Sequence, residues 1–363
     1  MTLLELRNIN KDYSKKEGLI HTVLSDVNFQ IKKGENFTII GPNGSGKTTL
    51  LRILGLLEVP SKGEIFYQGN EITNLTRKEK IKFRRKLSFV RQKPVVLNSS
   101  VLKNIAFGLK IRGVNEQEIH RKAKYVIEIA GLNGLENKNA RSLSGGEMQR
   151  VIIAMNFIID PEIYLLDEVS ANLDPKNITL LEEFINTIRK KDKKTIIMST
   201  HDRLEAIKFA DRIGVLSNGV ISQLGTPNEI FTSPKDEFTA LFVGFENIFM
   251  GKAKIDEKSG LNRIKINGIT ITASSQLEGD VKVCIRPESI GITKEAPKSV
   301  SYRNIFDGKI KQIRDLGNIC HLIVNCKSEK FLITITTLSR TNLGLKINSE
   351  IFFNFKATDV KIL

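Results

Sequence analysis

Residues 37 to 48 read F-T-I-I-G-P-N-G-S-G-K-T and run on into T-L-L-R-I-L. A short apolar run, a glycine-rich octet and an amphipathic run in that order predict strand, loop and helix. The octet fits GxxxxGK[ST] in the setting that pattern requires. Its glycines Gly41, Gly44 and Gly46 let the backbone curl round phosphates, between Pro42, Asn43 and Ser45. Lys47 can reach β and γ oxygens, the Thr48 hydroxyl can ligate Mg²⁺, and Thr49 opens the helix beside them. The core is therefore expected to be an α/β P-loop nucleotide-binding domain.

Further strands are read at L-S-F-V (87–90), I-Y-L-L (163–166) and T-I-I-M-S-T (195–200). Apolar runs with little alternation suit strands covered on both faces, so helices are expected on each side of the sheet. Between about 93 and 160 helix-period segments take over, among them N-E-Q-E-I-H-R-K-A-K-Y-V-I-E-I-A with Gly131 as a helix stop. That stretch reads as a helical subdomain inserted in an ATPase domain spanning 1–236. Two turn signals close that domain, L-S-N-G-V-I-S and the capping box T-P-N-E at 226–229. From 240 to 363 short alternating strands with Gly, Asn or Asp turns, such as K-I-K-I-N-G-I-T-I-T, predict a small all-β, OB-like barrel with its core at 300–363.

Two other stretches bear on phosphate chemistry. I-Y-L-L-D-E ends a buried strand in two carboxylates, at the strand edge where open α/β sheets place ligands. Asp167 suits the shell of Mg²⁺ and Glu168 suits the polarising of an attacking water. An acidic pair after a strand is commonly just a solvated end; a phosphate loop in the same core reverses that reading. The second stretch, S-L-S-G-G-E-M-Q-R at 142–150, puts a serine and two glycines before a helix, which is an anion-binding start. One chain thus offers two phosphate sites.

Composition narrows the classes of function. No apolar run reaches the roughly 18 residues that span a bilayer, and no leader segment is read, so the chain is expected in the cytoplasm. Three cysteines, Cys284, Cys320 and Cys326, suit neither a disulfide framework nor a zinc site. A net charge of +16 comes with no tryptophan and no aromatic interleaving of the basic runs 80–86 and 189–194. Those runs read as solvated helix faces, and no nucleic acid is expected.

At this point the residues resemble a known family, the ATP-binding cassette ATPases. L-S-G-G-E at 143–147 resembles its signature loop, S-A-N-L-D at 170–174 its D-loop, and S-T-H-D puts His201 at its switch histidine. Gln92 matches the Q-loop and Tyr13 the aromatic that stacks on adenine. The resemblance implies catalytic roles for Glu168, His201 and Gln92, a metal role for Gln92 with Thr48 and Asp167, and a nucleotide contact at Asp174. It also implies that two copies face head to tail, Ser144, Gly145 and Gly146 of one capping the γ-phosphate held by the other. Two departures stand out: Glu147 replaces the commoner glutamine, and Asn172 is an insertion in the D-loop. A carboxylate at Glu147 could weaken a phosphate contact, but its side chain can point away while Ser144 and the Gly145 and Gly146 amides do the binding, so the departure reads as a tolerated variant.

Within the family the chain resembles importer ATPases, through V-L-K-N-I-A-F-G-L-K, G-T-P-N-E-I-F-T-S-P, F-V-G-F-E-N-I-F-M-G and I-R-P-E-S-I. That implies two integral membrane permease subunits as partners, an extracytoplasmic substrate-binding protein acting through them, and a peripheral position on the cytoplasmic face of the membrane. The tail, from S-Y-R-N-I-F-D-G-K-I-K-Q-I onward, resembles the molybdate-binding (TOBE/Mop) barrel of molybdate and tungstate importers. On that resemblance Ser301, Arg303, Asn304, Lys356, Ala357 and Thr358 fall at an oxyanion pocket, although Tyr302 replaces a usually small residue. Related barrels serve importers of sugar, polyamine, iron and sulfate. A barrel that binds nothing and pairs subunits, and a soluble cassette ATPase acting on nucleic acid or ribosomes, are the other readings.

Overall fold

The computed structural model describes residues 1–14, 20–91, 95–170, 175–189, 194–297 and 301–363. The chain divides into two compact units, Met1–Asn228 and Glu229–Leu363.

The first unit opens with β1 (Thr2–Ser14), β2 (Ile20–Lys32), β3 (Asn36–Ile40), α1 (Lys47–Leu54), β4 (Lys62–Tyr67), β5 (Asn70–Glu71), α2 (Arg77–Arg84) and β6 (Leu87–Val90). Three helices follow, α3 (Val101–Ile111), α4 (Glu116–Ile129) and α5 (Gly145–Phe157). The sheet then resumes with β7 (Ile163–Asp167), α6 (Pro175–Thr187), β8 (Thr195–Thr200), α7 (Arg203–Phe209), β9 (Arg212–Ser217) and β10 (Val220–Gly225).

The central sheet runs β10-β9-β3-β8-β7-β6, with every neighbouring pair parallel except the hairpin β9–β10. Every residue of β3, β7 and β8 is buried, as strands covered on both faces require. The period of two sorts their side chains between two cores. Ile163, Leu165 and Ile197 join α1 and the strands β1 and β2, whereas Tyr164, Leu166, Ile196 and Met198 join α5 and α6. A separate antiparallel sheet, β2-β1-β4-β5, covers the α1 side. Its strands β1 and β2 pair along thirteen residues each through repeated bulges, an arrangement the sequence analysis does not foresee.

The helices follow their local signals. In α4 the Asn115 side chain accepts from the Glu118 N–H, and Ile119, Ala123, Val126 and Ile127 lie buried along one stripe. Full burial of each large aliphatic is worth about 1.5–3 kcal/mol. Gly131, at φ 59°, ends the helix, with Leu132 N–H bonded back to the Ile127 carbonyl. Asn218 and Gly219, both at positive φ, make the two-residue turn between β9 and β10.

The chain continues through α8 (Pro227–Thr232) and α9 (Glu237–Phe242) into β11 (Asn247–Asp256), β12 (Leu261–Ile266), β13 (Ile269–Ala273), β14 (Gly279–Ile285) and β15 (Gly291–Thr293). The rest is β16 (Asn304–Asp315), β17 (Ile319–Cys326), β18 (Glu329–Thr336), α10 (Thr337–Asn342), β19 (Glu350–Phe355) and β20 (Lys361–Ile362). Two five-stranded antiparallel sheets, β13-β12-β11-β14-β20 and β15-β19-β16-β17-β18, enclose one core rich in phenylalanine. Buried carboxamides stitch them together. Asn247 bridges the Leu332 N–H and carbonyl, and Asn304 does the same for Thr272. Cys284, Cys320 and Cys326 are all buried and free. Among the described residues no helix is long and apolar enough to cross a membrane, and no group of three or more His, Cys, Asp or Glu could hold a metal.

Candidate phosphate and metal site

Buried β3 delivers the glycine-rich loop to the C-terminal edge of the sheet. Gly44 and Gly46 have φ of 82° and 106°, where side chains are strained. Space adds its own demand. A Cβ on Gly46 would lie 2.8 Å from Leu24 Cδ2, and one on Gly41 only 2.1 Å from the Leu216 carbonyl oxygen. Helix α1 starts at Lys47 with Gly46 as its cap and no side-chain cap bond, so its first N–H groups are left for a ligand. The Ser45 hydroxyl within the loop is buried and has no hydrogen-bond partner. A phosphate oxygen is the chemistry that fits such a cradle.

Two strand ends bring the acids to that loop. Asp167 closes β7, and its carboxylate Oδ1 accepts from Thr48 Oγ1 at 3.0 Å and from Ser199 Oγ at 2.8 Å. Glu168 follows in the left-handed region at φ 46°, held there by its N–H, which donates to the Ser199 hydroxyl at 3.2 Å and carbonyl at 3.1 Å. Lys47 Nζ donates to the Gly41 and Pro42 carbonyls at 2.9 and 3.0 Å and lies 3.1 Å from Glu168 Oε1. His201 Nδ1 stands 3.6 Å from Glu168 Oε2. Thr48 and Asp167 present two hard oxygens side by side, a donor set that fits Mg²⁺. A cleft of about 410 Å³ opens here, lined by Val23, Asn43, Gly44, Lys47, Thr49 and Glu168.

Ser199 is the residue the sequence analysis misses. It orients both acids from the end of β8, and its only sequence signal is a small hydroxyl at a buried strand's end in T-I-I-M-S-T. Tyr13 sits half-buried on β1, its hydroxyl bonded to the Glu58 carboxylate and Lys11 Nζ 4.9 Å from its ring centre. Gln92 and Asp174, with most of the 170–174 segment, lie outside the described residues.

The second candidate anion site is the start of α5. Ser144 caps it and, with Gly145, is exposed; the Gly145 and Gly146 amides belong to the first turn. The Glu147 side chain folds back on the cap: its Oε2 accepts from Ser144 Oγ at 2.7 Å and from Ser144 N–H at 2.9 Å, while Glu147 N–H reaches Ser144 Oγ at 3.4 Å. This is a reciprocal capping box, and S-x-x-E is its sequence signal. The Ser144 hydroxyl, then its N–H, hold the Glu147 carboxyl below its usual pKa.

In the tail, Asn304 pairs with Phe355 in antiparallel register, so Arg303 and Lys356 flank that pair at the same end. Ser301, Arg303, Lys356 and Thr358 are exposed. Asn304 is not available to an anion as expected, because both ends of its buried carboxamide are committed to Thr272, at 2.7 and 2.9 Å. The Ala357 carbonyl accepts from Ser274 N–H at 3.0 Å.

Comparison with known proteins follows the same division. The family profile described as ABC transporter matches residues 24–171, and the one described as TOBE domain matches 301–362. The chain is 36% identical over 361 residues to a molybdate/tungstate import ATP-binding protein of Pyrococcus abyssi, covering 99% of this chain and 100% of that one. It is 39% identical over 320 residues to a protein of the same description from Thermococcus kodakarensis, covering 87% and 91%. A spermidine/putrescine import ATP-binding protein of Spiroplasma citri is 34% identical over 339 residues, covering 92% and 91%. Among solved structures, a dimeric ATP-binding cassette in a post-hydrolysis state bound to ADP and Pi matches with a TM-score of 0.58 and 32% identity, over 62% of this chain and 99% of that one.

Proposed function

The chain belongs to the ATP-binding subunits of ABC transporters and is an ATPase, and we propose that its hydrolysis of ATP drives import of an oxyanion, molybdate or tungstate. The observation that carries the ATPase part is the convergence of Lys47, Thr48, Asp167 and Glu168 on one cleft. The cargo reading rests on likeness to relatives of that description along almost the whole chain, tail included.

The chemistry follows from the side chains. The loop amides and Lys47 bind the β- and γ-phosphates of ATP. Thr48 and Asp167, with Gln92 by resemblance, would hold Mg²⁺, which neutralises charge developing on the phosphates. Once Lys47 turns to phosphate, Glu168 is released to accept a proton from the attacking water, which forms its bond to the γ-phosphorus as the bond to the ADP oxygen breaks. His201, beside Glu168, orients that carboxylate. Ser144, Gly145 and Gly146 of a second copy close the far side of the γ-phosphate.

Work passes to two integral membrane permease subunits, with an extracytoplasmic binding protein supplying cargo. The chain sits peripherally on the cytoplasmic face. Exposed Phe107 and Ile111 lie four residues apart on α3, and Leu97, whose N–H donates to the buried Asn104 side chain of that helix, is exposed as well. Apolar side chains so grouped suit a permease helix.

The test is ATPase activity of the chain reconstituted with its permease subunits and a loaded binding protein. Stimulation by tungstate or molybdate supports the reading. Stimulation by spermidine alone would replace it with polyamine import, the second reading that the Spiroplasma citri relative favours.

A further inference from the structure

One oxygen of Glu147, Oε2, takes both donors of Ser144, the hydroxyl at 2.7 Å and the N–H at 2.9 Å. A serine hydroxyl has a single proton to give. A negatively charged oxygen at a helix N-terminus is also what a bound phosphate would be. The α5 helix therefore carries its own anion, at the place where the second copy's γ-phosphate has to arrive.

Three residues along the same helix face stands Arg150, the spacing at which side chains meet. Its Nε is buried and without a hydrogen-bond partner. The helix thus offers the carboxylate two seats, Ser144 now and the guanidinium of Arg150 when displaced.

We propose that Glu147 acts as an internal competitor at the signature helix: it withholds the Ser144 hydroxyl and N–H until a partner's γ-phosphate displaces it toward Arg150, and so sets the ATP concentration at which two copies close. The inference rests on the head-to-tail dimer proposed above. Glu147 is a positioning residue, acting through Ser144.

Glu147→Gln tests it cleanly, since glutamine keeps the capping box and removes the charge. The full chain carrying Glu168→Gln, which accumulates the ATP-bound form, serves as background. Sedimentation velocity gives the ATP concentration at half-dimerisation. Adding Glu147→Gln lowers that concentration by about three- to tenfold, as expected for losing a charge-assisted competitor. Arg150→Met raises it in the Glu147 background and leaves it unchanged once Glu147→Gln is present. An unchanged or raised midpoint with Glu147→Gln overturns the inference and leaves the dimer standing. A background that never dimerises at saturating ATP removes the dimer reading itself, and the inference with it.

Discussion

Lys47 Nζ lies 3.1 Å from Glu168 Oε1, and the Gly41 and Pro42 carbonyls take the ammonium's other donors. The cation proposed to grip phosphate and the carboxylate proposed to receive the water's proton are thus partners. Both are largely buried, with side chains 4% and 11% exposed, so neither can lose the other without a substitute charge. On the proposed mechanism the γ-phosphate of ATP is that substitute for Lys47 and its arrival frees Glu168, so nucleotide binding and arming of the base would become one event.

Lys47→Ala should weaken ATP binding by about 10- to 100-fold, the range for losing charge-assisted hydrogen bonds to phosphate. Titration with a fluorescent ATP analogue measures it. Unchanged affinity would mean that the loop amides alone hold the phosphates.

Glu168→Gln should lower turnover by about 10²- to 10⁴-fold, the usual share of a general base. It keeps the proposed Mg²⁺ donors Thr48 and Asp167, so an ATP-bound dimer should accumulate on gel filtration. Retention of near-native turnover would point to a different base.

Phe107→Asp combined with Ile111→Asp should leave basal ATPase activity within about twofold, because surface changes away from packed features are nearly neutral. Stimulation by the permease subunits should disappear. Full stimulation in the double variant would place the docking surface elsewhere.

Burial raises the Cys284 thiol from 9.0 to about 12 and, to a smaller extent, the Cys326 thiol to about 11. Above pH 9 the unfolded chain releases these protons while the folded chain keeps them. Their contribution is therefore intact below pH 9 and declines as pH rises toward 12. Urea unfolding between pH 8 and 11 should show a shallower loss of stability in Cys284→Ala than in the native chain; identical slopes would contradict it.

The strand–loop–helix at 37–54 is legible because its signals are local: φ-demanding glycines, an apolar run before and a helical period after. The carboxylates Asp167 and Glu168 are legible because four buried residues precede them. The antiparallel sheet of β1, β2, β4 and β5 is not, since its pairings are long-range and its register is broken by bulges. Ser199 escapes notice because its role depends on β8 lying beside β7, a fact of topology. Asn304 misleads for the opposite reason. The resemblance assigns it by position alone, whereas its bonds to the Thr272 backbone on β13 follow from the tertiary fold.

The strand that carries the phosphate loop has both its neighbours, β8 and β9, on the far side of the three-helix insertion, and Gly34 N–H reaches Thr195 Oγ1 across 161 positions. During synthesis the loop emerges early and then hangs from an unpaired edge. At typical elongation rates the ribosome needs roughly 10–30 s to deliver the strands that complete it. The sheet that holds the phosphate loop is therefore complete only at that point, and a nucleotide that binds the folded site would then favour finished folding.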